Sequence, residues 1–272
     1  MNYSLNIRGQ LTDLSQPQVM GILNVTPDSF FADSRQQTES EVARRANEIV
    51  EQGGTMIDVG AYSTRPGHTA VSEAEEMDRL RRALLVVRRE QPDVVLSVDT
   101  FRPDVARMVV EEYGADIIND VSEGEDPDMF RVVARLGVPY ILMSVQPDLR
   151  STLLTFAKKV QLLRDMGQKD IILDPGFGFG KTVEENYRLM NDLEKLLVMQ
   201  LPLLVGISRK SMIFKLLGTT PDEALNGTTV LNTIALMKGT SILRVHDVKQ
   251  AVECVKMVTT LTSQPSPLTS NL

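Results

Sequence analysis

Val19-Met20-Gly21-Ile22-Leu23-Asn24 is a short apolar run that ends on a polar residue, and seven more short apolar runs, each ending on or leading into polar residues, follow along the chain. The other runs are Met56–Gly60, Val94–Asp99, Ile117–Asn119, Tyr140–Met143, Ile171–Asp174, Leu203–Ile207 and Ser241–Val245. None alternates strictly between polar and apolar residues, as expected of parallel strands covered on both faces. Between them lie stretches of helical period with recognisable punctuation. Ser72 with Glu75 reads as a capping box ahead of Met77, Leu80, Leu84 and Val87, and Thr182 with Glu185 reads as another ahead of Leu189 and Leu193. Asp126-Pro127 opens a helix that Gly137 closes, the stripe Leu153, Phe156, Val160 and Leu163 stops at Gly167, and a last helix is expected to start at Asp247. The run ends recur about every 31 residues between Asn24 and Arg244, the length of a βαβ unit of roughly 30. Eight such units predict a single-domain α/β protein, a closed (β/α)₈ barrel of the TIM type over residues 18–260. An open doubly wound sheet is the competitor, because strand count does not dictate closure. Residues 1–17 are read as an N-terminal extension and residues 261–272 as a polar C-terminal tail.

The rest of the composition removes several function classes. Hydrophobic residues make up 42% and charged residues 24% of the 272, an ordinary globular balance that excludes a disordered chain. With 29 Lys+Arg against 36 Asp+Glu the net charge is −7, a field that repels polyanions, so no nucleic-acid partner is expected. Cys254 is the only cysteine, which excludes an internal disulfide and a thiolate zinc site. No apolar run approaches the roughly 18 residues of a membrane span, and the first residues carry no secretory h-region. The expected location is the cytoplasm.

Ligands of parallel α/β folds bind at the C-terminal ends of the strands. Those ends carry Asn24, Asp99-Thr100, Asn119-Asp120, Asp174 before Gly176-Phe177-Gly178-Phe179-Gly180-Lys181, Ser208-Arg209-Lys210-Ser211, and Arg244-Val245-His246-Asp247. The second strand carries Asp58 and leads to Ser63-Thr64-Arg65-Pro66-Gly67. Polar groups beside apolar strands are costly to bury without partners, so these residues pair with one another or hold a polar ligand. Asp58, inside its strand, is read as the structural member. Asp174 and Asp99 offer acceptors, Asn119 both functions and Lys210 donors, a mixture that grips the hydrogen-bonding edge of a flat heterocycle. Arg65, Arg244 and His246 are the anion candidates. The glycine-rich run fits neither the dinucleotide fingerprint nor a Walker A motif. No Ser or Cys nucleophile has an adjacent base.

Gly21-Ile22-Leu23-Asn24-Val25-Thr26-Pro27-Asp28-Ser29-Phe30, Ser63-Thr64-Arg65-Pro66-Gly67 and Asp174–Thr182, with Ser97-Val98-Asp99-Thr100, Ser208–Ser211 and Arg244–Asp247, resemble the dihydropteroate synthase family in content and order. The resemblance runs from Val19 to about Met257. It implies a barrel enzyme, usually a homodimer, that joins 6-hydroxymethyl-7,8-dihydropterin diphosphate to para-aminobenzoate and releases diphosphate with Mg²⁺. By matching motif positions, Asp99, Asn119, Asp174 and Lys210 hold the pterin. Asn24, Arg65, Arg244 and His246 hold the diphosphate, with Asn24 near the metal. Thr64, Pro66, Phe179 and Ser211 border the arylamine. The catalytic set implied is Asp99, Lys210, Arg65, Arg244 and His246. Asp174 is expected to recognise the heterocycle alone and Arg244 the leaving group alone.

Two segments depart from the family. Gly60-Ala61-Tyr62-Ser63 stands where a glycine and a glutamate usually precede Ser-Thr-Arg-Pro. Met143-Ser144-Val145-Gln146 stands where many members carry a histidine, and the connection onward to Asp174 is short. Two alternatives share the resemblance: a pterin-binding methyltransferase of the methyltetrahydrofolate and corrinoid kind, against which Ser-Thr-Arg-Pro and Arg-Val-His argue, and a non-catalytic pterin-binding paralogue.

Overall fold

The computed structural model describes residues 3–25, 35–62 and 71–263. Its first element is a hairpin of β1 (Ser4–Ile7) and β2 (Gln10–Asp13), paired antiparallel. The two-residue turn Arg8-Gly9 has φ of +52° and +79°, the sign that a tight hairpin turn needs at both central positions.

Eight parallel strands follow: β3 (Gln18–Asn24), β4 (Met56–Gly60), β5 (Val95–Asp99), β6 (Ile117–Asp120), β7 (Tyr140–Met143), β8 (Ile171–Asp174), β9 (Leu204–Val205) and β10 (Ile242–Val245). Each neighbours the next in chain order from β3 to β8, while β10 pairs with both β3 and β9. A parallel bridge between Leu173 and Leu203 joins β8 to the start of β9 and closes the ring, so the structure is a barrel and not the open sheet. The ninth strand is shorter than the run Leu203–Ile207 suggests, because ladder pairing with β10 stops at Val205, just before Gly206.

The helices return the chain between strands: α1 (Arg35–Glu51), α2 (Glu73–Glu90), α3 (Pro103–Glu111), α4 (Pro127–Leu136), α5 (Leu149–Asp165), α6 (Val183–Asn191), α7 (Ser211–Leu217), α8 (Leu225–Met237) and α9 (Val248–Ser263). Thr182 and Glu185 form the reciprocal capping box at α6. At α2 Ser72 accepts from the Glu75 amide, but the Glu75 carboxylate pairs with Arg79 instead of closing the box. The last helix runs from Val248, with the Asp247 carbonyl accepting from the Ala251 amide and the Asp247 side chain paired with Arg209.

Strand period sorts the interior into two cores. Residues such as Val19, Ile57, Val98, Ile118, Leu173 and Leu243 pack outward against the helix stripes. Met20, Met56, Ile117, Ile141, Ile172, Leu204 and Ile242 face the barrel axis and pack with Leu5, Ile7 and Leu14 of the hairpin region. The extension therefore plugs the N-terminal end of the barrel. Arg8 fixes it there through Asp116, with Nε and Nη2 donating to the two carboxylate oxygens at 2.7 and 2.8 Å. Among the described residues no helix is long and apolar enough to cross a membrane.

Candidate functional site

The axis-facing residues change character two positions further along the strands. Above Met56 comes Asp58, above Val95 come Ser97 and Asp99, above Ile117 Asn119, above Ile172 Asp174, and above Ile242 come Arg244 and His246. An apolar plug thus carries a polar floor that opens at the C-terminal ends of the strands. This is where the polar run ends were expected to converge.

Asp58 is the centre of that floor. It is fully buried and accepts from Ser97 Oγ at 2.5 Å, Asn119 Nδ2 at 3.1 Å and Arg244 Nε at 2.7 Å. Arg244 also donates from Nη2 to Asp99 at 3.1 Å, so one guanidinium bridges two carboxylates. Those contacts use two of its five N–H groups. Its stem runs alongside Gly206, whose Cβ position lies 3.8 Å from Arg244 Cβ. Burial, reinforced by Asp58, Glu76 and Asp120, lifts the Asp99 carboxyl to about 7 against the pull of Arg244.

Asn119 commits its amide nitrogen to Asp58, and its Oδ1 is buried without a partner. Such an acceptor is costly unless a ligand supplies a donor. Its neighbour Asp120 points the other way, toward the helices, and takes the Tyr140 hydroxyl at 2.6 Å. Asp174 accepts from the Gly176 amide at 2.7 Å. Burial raises its carboxyl while Lys210 pulls it back. Lys210 donates to the Phe177 carbonyl and sits 4.5 Å from the Phe179 ring centroid. Burial brings its ammonium down to about 8, with Asp174 opposing.

Asn24 lies exposed at the end of β3, and His246 is positioned by its backbone, with N donating to Ser208 Oγ and its carbonyl accepting from Arg45. Ser211 opens α7 directly after Lys210. The structure therefore brings Asn24, Asp99, Asn119, Asp174, Phe179, Lys210, Ser211, Arg244 and His246 to one end of the barrel. Thr64, Arg65 and Pro66 lie outside the described residues. Among the described residues no cluster of three His, Cys, Asp or Glu could hold a metal by itself. Above Gly60, however, Asn24 Oδ1 and Asp99 Oδ2 lie 3.6 and 3.8 Å from the point a Cβ would occupy. Two hard oxygens brought together over a glycine suit Mg²⁺, which takes few protein ligands and completes its shell with substrate phosphates and water.

Two residues carry more than their sequence context suggested. Asp58 links three members of the site, a role hidden inside an apolar strand. Arg209, at φ +54°, donates to both oxygens of Asp247 at 2.9 Å and to the Pro221 carbonyl at 3.0 Å, so it ties the loop after β9 to the loop after β10. Only its place between Ser208 and Lys210 hinted at this.

A family model described as pterin binding enzyme matches residues 20–246. The dihydropteroate synthase of Escherichia coli (strain K12) is 39% identical over 266 residues, covering 92% of this chain and 94% of the relative. Among solved structures, a Xanthomonas albilineans dihydropteroate synthase with 4-aminobenzoic acid superposes with a TM-score of 0.88 at 34% identity, over 97% of this chain and all of that one. A Yersinia pestis dihydropteroate synthase in complex with a sulfonamide drug gives 0.85 at 39% identity, over 96% and 99% of the two chains. Polar floor, plugged barrel and similarity along nearly the whole length agree, and the chain belongs to the dihydropteroate synthases of the pterin-binding enzyme family.

Proposed function

We propose that this site condenses 6-hydroxymethyl-7,8-dihydropterin diphosphate with para-aminobenzoate to give 7,8-dihydropteroate and diphosphate. The observation that carries the reading is the buried, partnerless Asn119 Oδ1 on the same floor as Asp174 and Lys210. A pterin presents an amino group and a ring N–H along one edge. Asp174 accepts from both in the forked manner of carboxylates, Asn119 Oδ1 takes a further donor, and Lys210 donates to the ring's acceptors. The three remaining N–H groups of Arg244 are assigned to the leaving group, as are His246 and Arg65.

In the reaction the bond from the exocyclic methylene to the diphosphate oxygen breaks and a bond from that carbon to the arylamine nitrogen forms. The nitrogen then loses one proton. Negative charge accumulates on the departing diphosphate, where preorganised cations stabilise it best, and Asp99 faces the positive charge on the methylene. Asn24 and Asp99 would hold Mg²⁺, which neutralises phosphate charge when bound. Phe179, Ser211, Thr64 and Pro66 border the arylamine.

A homodimer in the cytoplasm completes the reading. Val230, Ile234 and Met237 are exposed on α8 at spacings that place them on one helical face. Met257 and Leu261 of the neighbouring α9 are exposed as well. The apolar row suits a second copy of the chain.

Chromatographic detection of 7,8-dihydropteroate after incubation with both substrates and Mg²⁺ tests the reaction. Asp174→Asn turns one acceptor oxygen into a donor facing the pterin's own donors, and is expected to weaken binding of 6-hydroxymethylpterin by about 2–5 kcal/mol, the range for a spoiled buried charged contact.

A further inference from the structure

The loops that follow β7 and β8 meet backbone to backbone beside the site. Gly176, at φ +69°, has its Cβ position 2.0 Å from the Ser144 carbonyl oxygen, and Gly180, at φ +62°, has its own 3.3 Å from the Val145 carbonyl oxygen. A side chain at either glycine would push this seam open. Lys181 enters it from the β8 side, and its Nζ donates to the carbonyls of Ser144 at 3.1 Å, Gly176 at 3.1 Å and Phe179 at 3.2 Å. Three donors meet three acceptors, the whole capacity of an ammonium. Lys181 therefore offers nothing to a substrate.

The β7 side of the seam is braced independently. Ser144 Oγ donates to Glu123 Oε1 at 3.0 Å, the Val145 amide reaches the same oxygen at 3.1 Å, and Gln146 Nε2 reaches Oε2 at 3.1 Å. Lys159 closes on the Glu123 carbonyl. This is the segment in which a histidine is replaced, and its backbone, not a side chain, carries the link to the site. On the other side, Phe179 stacks over the Lys210 ammonium.

We propose that Lys181 is a positioning residue for the arylamine half of the site: by tying the Phe179 carbonyl to the braced Ser144 carbonyl, it fixes where the Phe179 ring stands. The inference rests on the reading of Phe179 as an arylamine wall. It goes beyond that reading by assigning the control of the wall to a residue that never touches substrate.

Lys181→Met keeps the stem and removes the donors. The expected result is an arylamine KM at least tenfold above the parent, with kcat at saturating arylamine within threefold and the calorimetric Kd for 6-hydroxymethylpterin within twofold. Gly180→Ala strains the same seam without removing a charge and is expected to give the same split, so it decides the matter if Lys181→Met fails to fold. An unchanged arylamine KM in a folded variant, or pterin Kd and arylamine KM rising together, overturns the inference while an active parent leaves the reaction standing. A parent that forms no dihydropteroate overturns both.

Discussion

Asp58 holds Ser97, Asn119 and Arg244 at once from a fully buried position, which alters the division expected between a heterocycle half and a leaving-group half. Arg244 belongs to the floor as well as to the mouth. Arg244→Ala leaves Asp58 without its cation, and breaking a buried pair costs about 3–5 kcal/mol. The variant is therefore expected to lose stability in a urea titration and to weaken plain pterin binding, in addition to slowing turnover. Undiminished affinity for 6-hydroxymethylpterin would show that the Asp58 hub does not shape the pterin floor. The pH profile follows from another group. Lys210, brought down to about 8 by burial, loses its charge as the pH rises through that value. With that charge required, kcat/KM is expected to fall through about pH 8. The polar residues at strand ends were legible in the sequence because each stands where an apolar run stops. Asp58 was legible only as a polar residue inside a strand, since its partners come from β5, β6 and β10 and are assembled by register.

The strands were legible to within a residue or two where apolar runs are flanked by turn chemistry, as at Tyr140–Met143, and less so at β9, where ladder pairing rather than hydrophobicity decides the end. The hairpin of β1 and β2 was not legible as an element. Its strands have four residues each, and its turn is Arg8-Gly9 where the strong hairpin signals are Asn-Gly or Asp-Gly. Yet it buries Leu5, Ile7 and Leu14 against the barrel axis, and each fully buried Leu or Ile is worth about 1.5–3 kcal/mol. Removing residues 1–16 would expose Met20, Met56 and Ile172 to water at the N-terminal end. A lowered melting temperature with increased binding of a hydrophobic dye is the expected outcome by differential scanning fluorimetry. A truncated protein melting with the full chain would show that the plug is dispensable.

At the scale of the molecule, closure through Leu173 and Leu203 brings β8 and its Asp174 next to β9 and the Lys210 that follows it, and β9 in turn pairs with β10, so the heterocycle contacts stand beside the Arg244 guanidinium. Sedimentation velocity is expected to show two chains per particle, and Ile234→Asp on α8 to give one. A parent protein that sediments as a single chain would leave the exposed row on α8 unexplained by self-association. The central claim is that a single floor holds the pterin while the cations around it release diphosphate to an arylamine attack. A coupled assay of diphosphate release, with each component omitted in turn, tests it most directly. The account predicts release only when the pterin diphosphate, para-aminobenzoate and Mg²⁺ are all present, in equal amounts of diphosphate and 7,8-dihydropteroate. Purified, folded protein that binds 6-hydroxymethylpterin and releases no diphosphate under those conditions would contradict it.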